Sequence, residues 1–413
     1  MLNQEKPQDF ELIELLIREA GLNVGASPST STQQGNDFES FKARFQSYID
    51  QIPSYLHSAG KSGFFPHFFL GSLSTFLDTQ AAGKLGVEKI YFRFDTPDTL
   101  KVVVIKSGEI KRDIDAIKNI KLFSISEHGS DHQSCKFTSG ELEDILKNFV
   151  GPVEAKNMKD RLKNRIESKL IQISKDNIGK EGIIVGIKSK KIDDSATSHK
   201  FCEIEKGLWD NPENDIVKLT DSNTDKVRGS IENILKKISE VHSKYKGSLI
   251  YTEGAREAAH HGFIAGALVN FRYRHNLRVY LEQFAERGYA DIVLVPRGEK
   301  RVLDAIPIII ELKAATAEEL EKLKKGGKIK ENSKTTPAAA LKQAEDYTKG
   351  FQPNVMRVLT TADDILCVGV NLDHPSPISD IVAKSRDQKI IPLLMIYWDL
   401  LMNETVVKLM KES

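Results

Sequence analysis

"AIPIIIELKAAT", residues 305–316, decides how the rest of the chain is read. Its run of isoleucines has the β-branched content of a fully buried strand, yet the run ends in Glu311 and Lys313. Side chains alternate along a strand, so these two point to one side while Ile310 and Leu312 point to the other. An unpaired buried charge is costly, so the pair must answer to a group nearby. Upstream, GYADIVLVP (288–296) sets Asp291 at the start of another apolar run, and PRGEKRVLD (296–304) supplies a turn that would pair the two strands as a hairpin. Asp291 would then lie beside Glu311. Two adjacent carboxylates raise each other's pKa unless a cation separates them. Lys313 offsets part of that charge, and a hard ion such as Mg²⁺ or Mn²⁺ on Asp291 and Glu311 would offset the rest. Such an ion could polarise a phosphodiester and activate a water. Lys313 could orient that water or stabilise the charge of the pentavalent state. On its own the tripeptide favours a strand-end ion pair, with Asp291 an ordinary turn residue; Asp291 inside an adjacent apolar strand brings the two readings level.

Two flanking segments add candidates. ALKQAEDYTKGF (340–351) carries Gln343 and Tyr347 one helical turn apart, on one face. EGAREAAHHGF (253–263) places Glu257 and His261 four apart, also on one face, without the HExxH spacing of a zinc site. Gln343 would support Lys313 or the substrate, and Glu257 would act from the neighbouring helix as a further acid or through a metal-bound water. Basic stretches follow the same logic. Lys322, Lys324, Lys325, Lys328 and Lys330 in KLKKGGKIKENSK (322–334) read as a mobile loop able to touch nucleic-acid phosphates, or as a solvated surface loop. Arg272 and Arg274 in FRYRHNLR (271–278) alternate with aromatics, a pattern that suits nucleic acid, or one in which Phe271 and Tyr273 are simply core.

Composition bounds these readings. With 413 residues the chain is long enough for two domains. A hydrophobic fraction of 40% and a charged fraction of 28% are those of a soluble globular protein. The formal net charge of +1 excludes a global field toward nucleic acid or membrane, so any attraction to DNA must be local. Cys135, Cys202 and Cys367 match neither a CxxC metal pattern nor a disulfide framework, which points to a reducing compartment and cytoplasmic synthesis. The polar N-terminus lacks a secretory core, and no window reaches membrane-spanning length.

Periodicity predicts an N-terminal helix and a Ser/Thr/Gln-rich linker over 1–37, then a smaller α/β domain over 38–225. In that domain FESFKARFQSYIDQIPSYL and FFPHFFLGSLSTFL read as helices. KIYFRFD (89–95), LKVVVIK (100–106) and KLFSISE (121–127) read as strands, and residues 138–180 as mainly helical. A second domain is expected over 226–413, beginning with a long helix. Helix, three strands, helix, strand is the pattern of an α/β sandwich, with KIIPLLMIYW as a closing strand. PHFFLGSLSTF followed by KIYFRFD is echoed by HHGFIAGALVNF followed by YADIVLV. The first region therefore reads as a candidate degenerate repeat that lacks the second's acidic and ELK residues.

Glu257…His261-Gly262-Phe263, Ala290-Asp291-Ile292-Val293, Glu311-Leu312-Lys313 and Gln343…Tyr347 together resemble the PD-(D/E)XK nuclease superfamily, specifically its RecB-like members with a QxxxY helix, over about residues 250–375. The wider sequence from Phe38 resembles the nuclease-domain region of the Wolbachia cytoplasmic-incompatibility B factors of the CinB and CidB type. The resemblance implies a restriction-endonuclease-like mixed sheet flanked by helices and a Mg²⁺- or Mn²⁺-dependent DNA endonuclease. It also implies catalytic roles for Asp291, Glu311, Lys313, Gln343, Tyr347 and Glu257. As further implications, the protein would be a toxin delivered into a host cell and its nucleus, and a cognate A-factor antidote would neutralise it. The opposing expectation is a catalytically idle nuclease fold that docks an antidote or host protein. The chain is shorter than usual for that family, and its segment between ELK and Gln343 is longer than the simplest RecB-like layout.

Overall fold

The computed structural model describes residues 63–107, 119–127, 137–163, 168–173, 185–190, 200–209, 212–252, 254–269, 277–285, 288–296, 306–349 and 364–385, with isolated positions elsewhere. The expected linker before residue 38, most of the helices expected before residue 63, and the closing strand KIIPLLMIYW lie outside the described residues. The protein is mixed α/β, built on two separate sheets flanked by helices. Two compact units account for the chain: residues 1–212 with 237–273, and residues 213–236 with 274–413. This division differs from the boundary expected at 225, because the helix carrying Glu257 groups with the first unit.

The first unit opens with α1 (Phe64–Phe76) and the short α2 (Gln80–Lys84). Strands β1 (Val87–Thr96), β2 (Thr99–Lys106) and β3 (Ile120–Ser126) follow as an antiparallel meander. Helices α3 (Ser139–Val150) and α4 (Pro152–Lys163) then carry the chain to β4 (Ser168–Ile173), which lies parallel to β3. β5 (Val185–Lys190) pairs antiparallel with β4, and β6 (Cys202–Ile204) adds to the free side of β1. Residues 168–173 correct the sequence reading, which placed them in a helix. Their charged flanks read as helical, but Leu170 and Ile171 have pairing partners on both sides, in β3 and β5, and that long-range pairing prevails over local propensity. Tyr91, Val103, Ile105, Ile120 and Leu122 from the sheet form one core with Leu142, Leu146, Met158 and Leu162 from α3 and α4.

All thirteen residues of α1 are buried. Such a helix needs an apolar partner around most of its circumference. It packs along α7 (Arg256–Val269) at backbone contact distance. A Cβ on Gly71 would overlap the Phe263 carbonyl, one on Gly262 the Phe64 carbonyl, and one on Gly266 the Phe68 carbonyl. Ser72 Oγ donates to the Gly266 carbonyl at 2.9 Å across the same seam. The two helices are the two members of the sequence echo, and Gly71 against Phe263 mirrors Gly266 against Phe68. Gly266→Ala should force the helices apart and destabilise the first unit by roughly 1–3 kcal/mol. Urea unfolding of the full chain reads this as a lowered midpoint, and an unchanged midpoint would rule out the tight seam.

The second unit repeats the path. After α5 (Pro212–Val217) and the beginning of α6 (Thr224–Tyr245), strands β7 (Leu277–Phe284), β8 (Tyr289–Pro296) and β9 (Ile308–Leu312) form an antiparallel meander. Helices α8 (Ala317–Lys324) and α9 (Pro337–Thr348) lead to β10 (Asp364–Val370), parallel to β9, and β11 (Val382–Ser385) pairs antiparallel with β10. Strand order is therefore β5-β4-β3-β2-β1-β6 in one sheet and β11-β10-β9-β8-β7 in the other. Thr336 caps α9 by accepting from Ala339 N at 3.2 Å, with Pro337 at the first helical position. α9 then lays Ala344 and Tyr347 on Val293, Val295, Ile309, Ile365 and Cys367. Gly369 admits it closely, since a Cβ there would overlap the Pro337 carbonyl. Among the described residues no helix is long and apolar enough to cross a membrane.

Candidate active site

Strand register brings the acidic residues of the second unit into one row. Leu281 pairs with Ile292 and Gln283 with Ala290, so Glu282 lies opposite Asp291. Ile292 pairs with Ile310, which makes Asp291 and Glu311 the next pair along. At that position side chains replace the backbone ladder. Asp291 Oδ2 accepts from Leu312 N at 2.7 Å, and Glu311 Oε2 accepts from Asp291 N at 3.4 Å. Each carboxylate is thereby aimed by the opposite strand's backbone. Both side chains are buried, Glu311 at 1% exposure. Parallel pairing with β10 carries one step past β9, where Lys313 N donates to Val370 O at 2.8 Å. That bond fixes the backbone of Lys313, whose half-buried ammonium reaches Glu311 Oε1 at 3.8 Å. Asp291, Glu311 and Lys313, separated by up to twenty-two positions in sequence, thus form one cluster.

α9 closes the cluster from the side. Gln343 Nε2 donates to Tyr347 Oη at 2.7 Å. Burial pushes the Tyr347 hydroxyl above its usual pKa; the Gln343 bond pulls it down, and the charges of Glu311, Asp291 and Glu282 add to the rise. The phenol therefore stays protonated at neutral pH beside three carboxylates. Gly288, whose carbonyl accepts from Ala285 N at 2.7 Å to close the β7–β8 hairpin, leaves room for this ring. A Cβ there would stand 2.8 Å from Tyr347 Oη.

Glu282 was not among the residues singled out from sequence. It presents a carboxylate oxygen within 4.8 Å of one from Asp291. It is also the one non-glycine among the described residues with a left-handed backbone, φ 48°. Such a conformation costs on the order of 1–3 kcal/mol and persists where surrounding structure enforces it. In LRVYLEQF it looks like any solvent-side strand residue; its register opposite Asp291 is what marks it.

Glu257 is exposed on α7 and belongs to the first unit. Arg272 and Arg274 lie outside the described residues. The lysine segment is more ordered than a free loop. Lys322 and Lys324 are in α8, paired with Glu318 at 3.0 Å and Glu321 at 2.7 Å. Lys325, Lys328 and Lys330 follow, all exposed, around a buried Ile329. Glu319 ties the segment down: Ser333 Oγ donates to it at 2.6 Å and Thr335 Oγ1 at 2.8 Å. Desolvation works against its ionisation, but these hydroxyls and the Thr316 amide hold the Glu319 carboxyl below its usual pKa.

The corresponding place in the first sheet has opposite chemistry. Counting from the hairpin, the third pair is Glu282 with Asp291 in one sheet and Arg93 with Lys101 in the other. Ser124 stands beside Lys101 where Glu311 stands beside Asp291. Arg93 and Lys101 are each paired with both Asp95 and Glu141, and Glu141 also accepts from Thr138 N at 2.7 Å in the capping box of α3. Two cations and two anions close on one another, leaving no net charge to attract a metal.

No protein-family model matches the chain, and no curated protein matches its sequence.

Proposed function

We propose that the second unit is a divalent-metal-dependent nuclease of the PD-(D/E)XK kind, acting on DNA. The observation that carries this reading is the meeting of Asp291 and Glu311, each oriented by backbone amides, with Lys313 beside Glu311. Three carboxylates against one ammonium form a hard-oxygen donor set that fits Mg²⁺ or Mn²⁺ better than a softer metal. Asp291 and Glu311 would hold the ion, with Glu282 within reach of it. A metal bound there would supply Lewis-acid polarisation of the phosphodiester and of the attacking water. Lys313 holds that water or meets the negative charge that grows on the phosphoryl oxygens. Gln343 keeps Tyr347 in place, and Tyr347, as a protonated phenol, offers a hydrogen bond toward the acidic row. Lys325, Lys328 and Lys330, on the segment leaving the catalytic strand, are suited to hold the phosphate backbone without reading sequence. In this reading the first unit, with its closed ion cluster, is a non-catalytic copy that braces the nuclease or docks a partner protein. The biological role that follows is a toxin restrained by an antidote of the A-factor type.

The test is nicking of supercoiled plasmid by the full chain with Mg²⁺ or Mn²⁺, with EDTA as the control. Conversion to open circle should require the metal and fall to background in Asp291→Asn. Nicking that survives both EDTA and Asp291→Asn would overturn the assignment, and an inert wild-type protein would favour the idle docking fold.

A further inference from the structure

The first unit encloses four histidines that the proposed chemistry does not use. His67 on α1, His242 on α6, and His260 and His261 on α7 are all at most 2% exposed. The rings of His67, His242 and His260 are in mutual contact or share Tyr251 as a neighbour. His242 and His260 meet edge to face at 5.2 Å, Tyr251 stacks on His67 at 5.2 Å and meets His260 edge-on at 5.9 Å, and His242 Nε2 lies 3.0 Å from Tyr251 Oη. Aromatic rings and cations surround His67 and His242. Phe94 of β1 covers His67 at 4.7 Å, Phe263 covers His242 at 5.1 Å, and Phe64 covers His261 at 5.6 Å. The Arg256 guanidinium sits 3.7 Å over the Tyr251 ring, and Lys246 lies at the end of α6. Glu127 caps this end of α1: its two oxygens accept from Gly63 N at 2.6 Å and Phe65 N at 2.7 Å. His67 Nδ1 bonds the Gly63 carbonyl at 2.7 Å, so the imidazole and the Glu127 cap hold the same helix start.

We propose that this histidine cluster is an acid-released latch: as pH falls below neutral, proton uptake by His67 and His242 opens the seam joining α1, α6 and α7. The cause is the geometry. A proton on either ring puts a second cation near Arg256 in a place with little water to screen it. Burial lowers the pKa of His67 from 6.5 to about 3; its bond to Gly63 works the other way, and His260 and Arg256 lower it further. Burial likewise takes His242 well below 6.5, with His260, His67, Lys246 and Arg256 adding to the fall. The closed form therefore binds fewer protons than the open form. Stability is fully present above about pH 6.5 and is lost as pH falls from there toward 3. Each such histidine raises the opening constant about tenfold per pH unit in that window.

Trp209, 2% exposed in the same unit, reports the opening, with Trp398→Phe removing the other indole. The full chain should show a fluorescence transition between pH 6.5 and 3 with an apparent uptake of about two protons. His67→Gln/His242→Gln keeps hydrogen-bonding capacity but cannot become charged. It should shift the midpoint down by about one pH unit or more and flatten the transition. Should the double variant fail to fold at pH 7, His242→Gln alone should reduce the uptake by about one proton. Glu127→Gln separates the cap from the latch, because it should move the midpoint without reducing the histidine uptake. An unchanged midpoint and steepness in the histidine variants, with the fold intact at pH 7, would overturn the proposal.

Discussion

Glu311→Gln is expected to lower metal-dependent cleavage by at least about 100-fold while leaving the unfolding midpoint close to that of the wild type. A glutamine oxygen can still accept from Asp291 N, and the bond from Leu312 N to Asp291 Oδ2 does not involve Glu311. What disappears is a negative charge at a 1% exposed position, and with it part of the affinity for a divalent ion. Raising the metal concentration should recover part of the activity. Lys313→Met gives a different signature under the proposed chemistry. It removes an ammonium 3.8 Å from Glu311 and leaves the carboxylates in place. Metal binding should be retained or strengthened, while turnover falls by about 100- to 1,000-fold and does not recover with added metal. Isothermal titration with Mn²⁺ beside single-turnover cleavage separates the two. Equal losses of metal binding in both variants would mean that Lys313 only completes an ion pair.

The second large effect is structural and lies in the other sheet. Lys101→Met should destabilise the first unit by about 3–5 kcal/mol, because Glu141 is fully buried and would lose one of its two counter-cations. Asp95 loses a partner in the same step. Adding Glu141→Gln should recover part of the loss, since the remaining Arg93–Asp95 pair is neutral by itself. The gain is incomplete because Glu141 also supplies the capping box of α3. A double-mutant cycle in urea measures the coupling. Additive losses would mean that the four charges do not act as a closed set.

The features legible in the sequence were those that reside in one short segment. IIIELK shows its burial and its two charges at once, and the four-residue spacing of Gln343 and Tyr347 survives as a direct hydrogen bond. Asp291 could be placed beside Glu311 because an apolar run on each side of a turn implies antiparallel pairing. Glu282 could not be found this way. Its relevance depends on register and on a local left-handed backbone, neither of which its neighbours encode visibly. Ser168–Ile173 looked helical because local charge pattern speaks for helix, while its strand state comes from β3 and β5, far away in sequence. The division into two compact units was hidden for a similar reason. α6 begins cleanly at Thr224, but the residues that group with the first unit start at Lys237, inside that helix. The partner of α1 was likewise hidden, although the echo between the two helices was visible. Repetition in sequence says nothing about which surfaces meet.

The glycine seam also bears on how the protein is made. The hydrogen bond from Ser72 to Gly266 spans 194 residues. At a ribosomal rate of 5–20 residues per second, α1 leaves the exit tunnel about 10–40 s before the helix that covers it. For that interval thirteen residues destined for complete burial, five of them phenylalanine, must be kept from other chains. Nascent α1 therefore needs protection from other chains, and translation speed between residues 76 and 256 sets how long that need lasts.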